Sequence, residues 1–285
     1  MSTQSETKRM IERLESLPPI PKIAQQILAL KISSEEGERA LFGLIEKDPT
    51  LMSKIIGLAN SPLFAIGRTI LTLHDAEVLL GSKRVKMIAL GFAMMSSVTK
   101  QPKGLLNLDG LWKHSLSIAL AMDTLAKYMP KESRPAEDEI YLAGLLHDIG
   151  FLVLNYLDTH LCDQFCTRMA TEPARSVEEI EAEMLGMNHC ELGAELGRHW
   201  GLPENIIAVL RYHHAPNEYP DAAQQPLVAL AYMAAKLLPT FNINESAAMD
   251  VTDEDWQSLG IDPLMADEIK AKLKMHADHE NEIDA

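Results

Sequence analysis

Gly144-Leu145-Leu146-His147-Asp148-Ile149-Gly150 is the stretch on which the reading turns. It places an imidazole and a carboxylate side by side in an apolar, helix-like run from Tyr141 to Leu157. Burying that pair without partners costs on the order of several kcal/mol, so the fold must supply a hydrogen-bonded network or a metal ion. Four further histidines lie in helix-like contexts that can converge on one point. His114 follows Trp112 in an apolar segment, and His189 lies in Glu183–Arg198 beside the apolar face of Leu185, Leu192 and Leu196. His213 and His214 close the segment Ile206–His214. Helical bundles build metal sites from inward residues on several helices. Imidazole with carboxylate suits Fe, Mn or Zn. Adjacent helical residues point about 100° apart, so only one of His213 and His214 is expected to face the site.

The surrounding chain reads as helix after helix. Apolar residues make up 47% of its 285 residues while aromatics are 5%, a balance rich in Leu, Ala, Ile and Met that favours helix over sheet. Pro21–Leu30 has a helical apolar pattern. Asp48–Pro49 is a helix start, with Leu51, Ile55, Leu58 and Ala59 forming one face. Asn60–Ser61–Pro62 ends that helix, Val78–Leu80 stops at Gly81, and Val85–Val98 is a further helix. Breaks are expected at Gln101–Gly110, Pro130–Ala136 and Ala215–Pro226. The resulting expectation is an all-α, multi-helix bundle of two subdomains, divided as 1–105, 106–240 and an acidic helical tail, 241–285. Within that tail Thr252 and Asp255 resemble a capping box, and Leu264, Ile269 and Leu273 suggest an apolar face.

The net charge is −15, of which the tail carries −9. Such a balance argues against non-specific binding to nucleic acid or anionic membranes. Cys162, Cys166 and Cys190 are too few, and odd in number, for a disulfide framework. Cys162 and Cys166 share a helix face and are expected to be buried filler. The polar N-terminus lacks the apolar core of a signal peptide, and His147–Asp148 interrupts the longest apolar run. A cytoplasmic protein, with no membrane partner, is expected.

In order and spacing, His114, His147–Asp148, His189 and His213–His214 resemble the HD superfamily of metal-dependent phosphohydrolases. More closely, the chain resembles the HDOD domain, a helical relative in bacterial signalling proteins. The matching pieces include Leu17-Pro18-Pro19-Ile20-Pro21, Asp48-Pro49-Thr50-Leu51, Ala59-Asn60-Ser61 and Leu80-Gly81. They continue with Trp112, Gly144–Gly150, His189-Cys190-Glu191-Leu192-Gly193-Ala194, Trp200-Gly201-Leu202-Pro203 and His213–His214. The resemblance covers about Leu17 to Leu237 and implies two helical subdomains and a role in signalling. It also implies two degenerate positions. Tyr232 stands where active relatives carry a last Asp ligand, and Phe151 stands where the cyclic-dinucleotide phosphodiesterase branch has Lys. That branch's Gly-Tyr-Pro signature is also missing from Ala215–Pro220.

Two functions follow as expectations. One is a non-catalytic regulatory module that binds a signalling protein or a nucleotide second messenger, with room for a homodimer. The other is a metal-dependent phosphohydrolase with an incomplete ligand set, its ion held by His147, Asp148, His189 and one of His213 and His214, with His114 additional. Lys113, Arg198 and Arg211 are the nearby cations, expected as solvated helix-edge charges.

Overall fold

The computed structural model describes residues 12–32, 34–60, 64, 69–99, 104–220, 225–238 and 250–278. Among these residues every regular element is a helix. In chain order they are α1 (Lys22–Ala29), α2 (Glu35–Ile45), α3 (Pro49–Ala59), α4 (Leu73–Leu80) and α5 (Ser82–Ser97). There follow α6 (Leu108–Ala126), α7 (Glu137–Leu146), α8 (Ile149–Leu157), α9 (Thr159–Thr171), α10 (Val177–Met184) and α11 (His189–His199). The series ends with α12 (Glu204–Tyr212), α13 (Pro226–Leu237), α14 (Asp253–Ser258) and α15 (Ala266–Asp278). Two compact units result: Ile20–Ser97 with the segment from Asp267 onward, and Val98–Ala266 with the segment ending at Pro19.

Local chemistry fixes the helix ends of the first unit. The Asp48 carboxylate accepts from the backbone N–H groups of Thr50 and Leu51, both at 3.1 Å, while Pro49 takes the first helical position, where no donor is needed. Leu51, Ile55, Leu58 and Ala59 are buried, as their spacing requires. Asn60 does more than end α3: its side chain donates to the Ile70 carbonyl at 2.6 Å and accepts from the Ile70 N–H at 2.7 Å. Gly81, with φ of 82°, ends α4 in a conformation that side chains other than glycine rarely adopt.

The second unit carries the histidines. α6 packs on α7, α8 on α11, α11 on α12, and α13 on α6. Glu137–Leu157 is long and apolar enough to cross a membrane, yet 89% of its most apolar window is buried inside the protein, as befits core helices. Asn107 caps α6 by accepting from Gly110 N–H; residues 101–103 of the expected break before it lie outside the described residues. Arg13 bonds the Leu157 carbonyl and Asp158, and the Trp200 indole N–H donates to the Pro18 carbonyl at 2.9 Å. In the acidic tail the Thr252 capping box starts α14, and Trp256, Leu259 and Ile261 are buried. Ile269 and Leu273 are buried as well. Leu264, expected on the same apolar face, is 88% exposed because it lies in a 3-10 turn, Pro263–Met265, ahead of α15.

Two glycines let the site helices meet at backbone distance. A Cβ at Gly144 would lie 2.4 Å from Ala119 Cα, and one at Gly150 would lie 1.8 Å from the His189 carbonyl oxygen. Gly57, in contrast, has open space around it. Gly150→Ala is therefore expected to destabilise the protein by about 1–3 kcal/mol, as overpacking against rigid backbone does. Gly57→Ala is expected to be neutral or stabilising by up to about 1 kcal/mol. Urea unfolding of the two variants beside the parent checks both signs.

Candidate metal centre

The His–Asp pair does not sit inside one long helix. α7 ends at Leu146, α8 begins at Ile149, and His147–Asp148 forms the break between them. Asp148 has φ −99° and ψ 15°, a turn conformation that frees its side chain from helical periodicity. His189 likewise lies at a boundary: α10 stops at Met184, and Asn188 caps α11, which opens on His189. The expectation that only one of His213 and His214 faces the site is overturned. His213 keeps helical dihedrals at the C-cap of α12, yet the two ring centroids lie 4.2 Å apart and both rings reach the cluster.

All six expected residues converge. Asp148 Oδ2 lies 3.0 Å from His147 Nε2 and 3.4 Å from His114 Nε2; Oδ1 lies 3.3 Å from His213 Nε2 and 3.9 Å from His189 Nε2. His214 Nε2 is 3.1 Å from His189 Nε2. The six side chains are at most 8% exposed, and Asp148, His189 and His213 are at 0%.

The ring tautomers follow from what the other nitrogens touch. His147 Nδ1 is 2.9 Å from the Gly144 carbonyl, and His213 Nδ1 is 3.0 Å from the Val209 carbonyl. His189 Nδ1 is 2.9 Å from each oxygen of Glu181. Carbonyls and carboxylates only accept, so each Nδ1 donates. In a neutral ring each Nε2 then holds a lone pair, and it is the Nε2 atoms that surround Asp148. His147 Nε2 and both Asp148 oxygens are buried with no hydrogen bond. Lone pairs face lone pairs at contact distance, which is stable only if protons or a cation lie between them. Orienting the rings through Nδ1 is how metal-binding histidines are held.

The titration behaviour agrees. Burial would raise the Asp148 carboxyl, but the imidazoles of His147, His213 and His114 beside it outweigh burial and hold the group well below the usual range. Burial would lower His213, but Cys190 and Asp148 push it up to about 10. His189 is raised well above its usual value, since Cys190 and Glu181 overcome its burial. Burial lowers His114 to about 4 and His214 well below its ordinary value. The anions beside His189 and His213 favour their protonated forms, and a divalent ion would take the place of those protons.

Glu181 and Cys190 complete the cluster, and neither is singled out for it by the sequence. Glu181 is 1% exposed and also accepts from the His189 backbone N–H at 2.9 Å. Ser176 and Glu179 form the capping box of α10. That box sets the helix phase and puts Glu181 among buried Val177 and Ile180, so a carboxylate on an apolar stripe was the available signal. Phe151 stacks on His189, with ring centroids 4.3 Å apart and planes 15° from parallel, and on Phe165 at 5.9 Å. The Tyr232 ring lies 5.2 Å from Lys236 Nζ, which bonds Asp255. Arg211 pairs with Glu191 at 2.9 Å, and Arg198 pairs with Glu195.

With this geometry in hand, comparison with known proteins places the chain. The HDOD domain model matches residues 17–216. The chain belongs to the HDOD domain family. An HDOD domain protein of unknown function from Geobacter sulfurreducens has the same fold, with a TM-score of 0.76 at 24% identity over 98% of each chain. An uncharacterized protein of Treponema pallidum (strain Nichols) is 24% identical over 245 residues, 82% of this chain and 46% of that protein. Ribonuclease Y of Thermotoga petrophila is 31% identical over 118 residues, 41% of this chain and 17% of the enzyme. The HDOD chain thus spans less than half the length of these curated relatives.

Glu181→Ala would leave the His189 ring and backbone N–H buried without their acceptor. It is expected to cost about 3–5 kcal/mol, the range for breaking a buried pair. Glu181→Gln, which keeps one acceptor oxygen, is expected to cost less. Chemical denaturation of the two variants ranks them.

Proposed function

We propose that this chain is a regulatory HDOD module whose His/Asp cluster holds a divalent metal as a buried structural centre. Its signalling role would be exerted through contact with a partner protein rather than by turnover. The observation that carries this reading is enclosure: the six donors are at most 8% exposed, and the Phe151 ring covers one face of His189. Hydrolysis of a phosphoester needs the scissile group beside the ion, an activated water, and cations on the phosphate. Here Arg198 and Arg211 are already paired with carboxylates. Fe, Mn and Zn suit the donors, and the ion would be held by His147, Asp148, His189 and the His213–His214 pair, with His114 alongside. The ion would neutralise the buried carboxylate. Through the ring nitrogens it would tie together α6, the α7–α8 break, α11 and the end of α12. A nucleotide second messenger is the alternative ligand of such a module, and a cytoplasmic setting suits its free thiols.

The second reading is a metal-dependent phosphohydrolase. What favours it is the retained set of donors with ring tautomers already fixed, together with the partial match to ribonuclease Y.

Untagged protein purified without chelator is expected to contain about one divalent ion per chain by elemental analysis, and Asp148→Ala is expected to lose it. Binding should also release protons at pH 7 and pH 8, because His213 and His189 carry them in the empty site. Lowering the pH should expel the metal for the same reason. Hydrolysis of RNA, cyclic dinucleotides or nucleotides by the parent but not by His147→Ala/Asp148→Ala would replace the regulatory reading with the catalytic one. Protein without metal would remove both.

A further inference from the structure

Imidazoles and a carboxylate account for the cluster as the sequence presents it, but Cys190 lies within it. Its Sγ is 3.4 Å from His189 Nε2 and 3.9 Å from both ring nitrogens of His213, and the residue is 6% exposed. One donor atom from each of His189, Cys190, His213 and His214 can be chosen so that all lie within 4.8 Å of one another. A tetrahedral ion with metal–sulfur bonds of about 2.3 Å and metal–nitrogen bonds of about 2.05 Å has S···N edges of roughly 3.6 Å and N···N edges of roughly 3.3 Å. The observed S···N separations of 3.4 and 3.9 Å bracket the first value, and the His189–His214 N···N separation of 3.1 Å lies close to the second. A second observation points to a ligand at this place: both oxygens of Asp148 are buried without a hydrogen bond, with Asp148 Oδ1 3.3 Å from His213 Nε2.

We infer that Cys190 is a thiolate ligand of the ion in this cluster, acting with His189, His213 and His214, which narrows the ligand set given above by leaving His147 and Asp148 beside the ion rather than bonded to it, so that the site selects a thiophilic ion such as Zn2+ over Mn2+ or Mg2+. The inference rests on the cluster being a metal centre, as proposed above. On binding, the protons held by Cys190 and by the coordinating ring nitrogens pass to solvent, and the freed sulfur and nitrogen lone pairs form the bonds; nothing is oxidised or reduced. Thiolate selects zinc-like ions over the hard, oxygen-seeking Mg2+ and Mn2+. It distinguishes this centre from one made only of histidine and aspartate.

The test uses the full chain, stripped by a chelator and titrated with Co2+, which occupies zinc sites and reports its ligands by absorption. The expected result is a visible ligand-field band together with a near-ultraviolet sulfur-to-cobalt charge-transfer band. Cys190→Ser should keep the first and lose the second. The Cys162→Ser/Cys166→Ser chain, whose one remaining thiol is Cys190, should keep both. In competition with a chelating dye, Cys190→Ser should weaken Zn2+ binding by about tenfold or more and leave Mn2+ binding unchanged. A ligand-field band with no charge-transfer band in the parent, or a charge-transfer band that survives Cys190→Ser, overturns the thiolate ligand while the metal centre stands. Failure of the folded, stripped parent to take up Co2+ overturns the metal centre and the inference together. Should Cys190→Ser not fold, the Cys162→Ser/Cys166→Ser spectrum decides alone.

Discussion

A carboxylate that nothing neutralises cannot stay ionised in a helical core, and Asp148 sits at 0% exposure with four imidazole nitrogens within 3.9 Å. The rest of the second unit is arranged around that constraint. Three of the rings are held by acceptors at Nδ1, two of them backbone carbonyls and one the buried Glu181 carboxylate. Their orientation is thus set by the helices and not by the ligand. A cluster oriented in this way pays its conformational entropy during folding, so little ordering is left to oppose ion binding.

Helix ends deliver these side chains. His147–Asp148, His189 and His213–His214 each occur where a helix stops or starts, and only His114 comes from the interior of one. A helix end releases a residue from the fixed angular step, as the turn dihedrals of Asp148 show. It also leaves backbone groups without intrahelical partners. Asn188 and Ser176 satisfy some of them through side-chain caps at the starts of α11 and α10.

Much of this was legible in the sequence, because the signals were local. Asp48–Pro49, Gly81 and Thr252 with Asp255 mark helix ends by chemistry that acts within a few residues, and each does so in the structure. The histidines were legible as a set because a buried imidazole is costly wherever it falls. The helix break at 147–148 was not legible, since apolar residues continue on both sides of the pair, and the apolar pattern carries α12 two residues too far, to His214 instead of Tyr212. Cys190 was hidden for a different reason: a buried cysteine normally packs as a small apolar residue, and only the neighbouring rings give it another role. Leu264 shows the opposite error, a periodic apolar residue that a proline-led turn turns toward solvent.

Gly150 separates two kinds of information that the His147–Gly150 stretch carries together. Its absent side chain makes room for the His189 carbonyl oxygen, a demand of backbone packing that holds whether or not any ion is bound. A related chain could lose every donor and still be obliged to keep this glycine so that the two helices touch. Asp148 is the reverse, a residue that packing alone would replace with something apolar. In a degenerate relative, the glycine therefore reports the persistence of the fold, and the aspartate reports the persistence of a reason to hold charge.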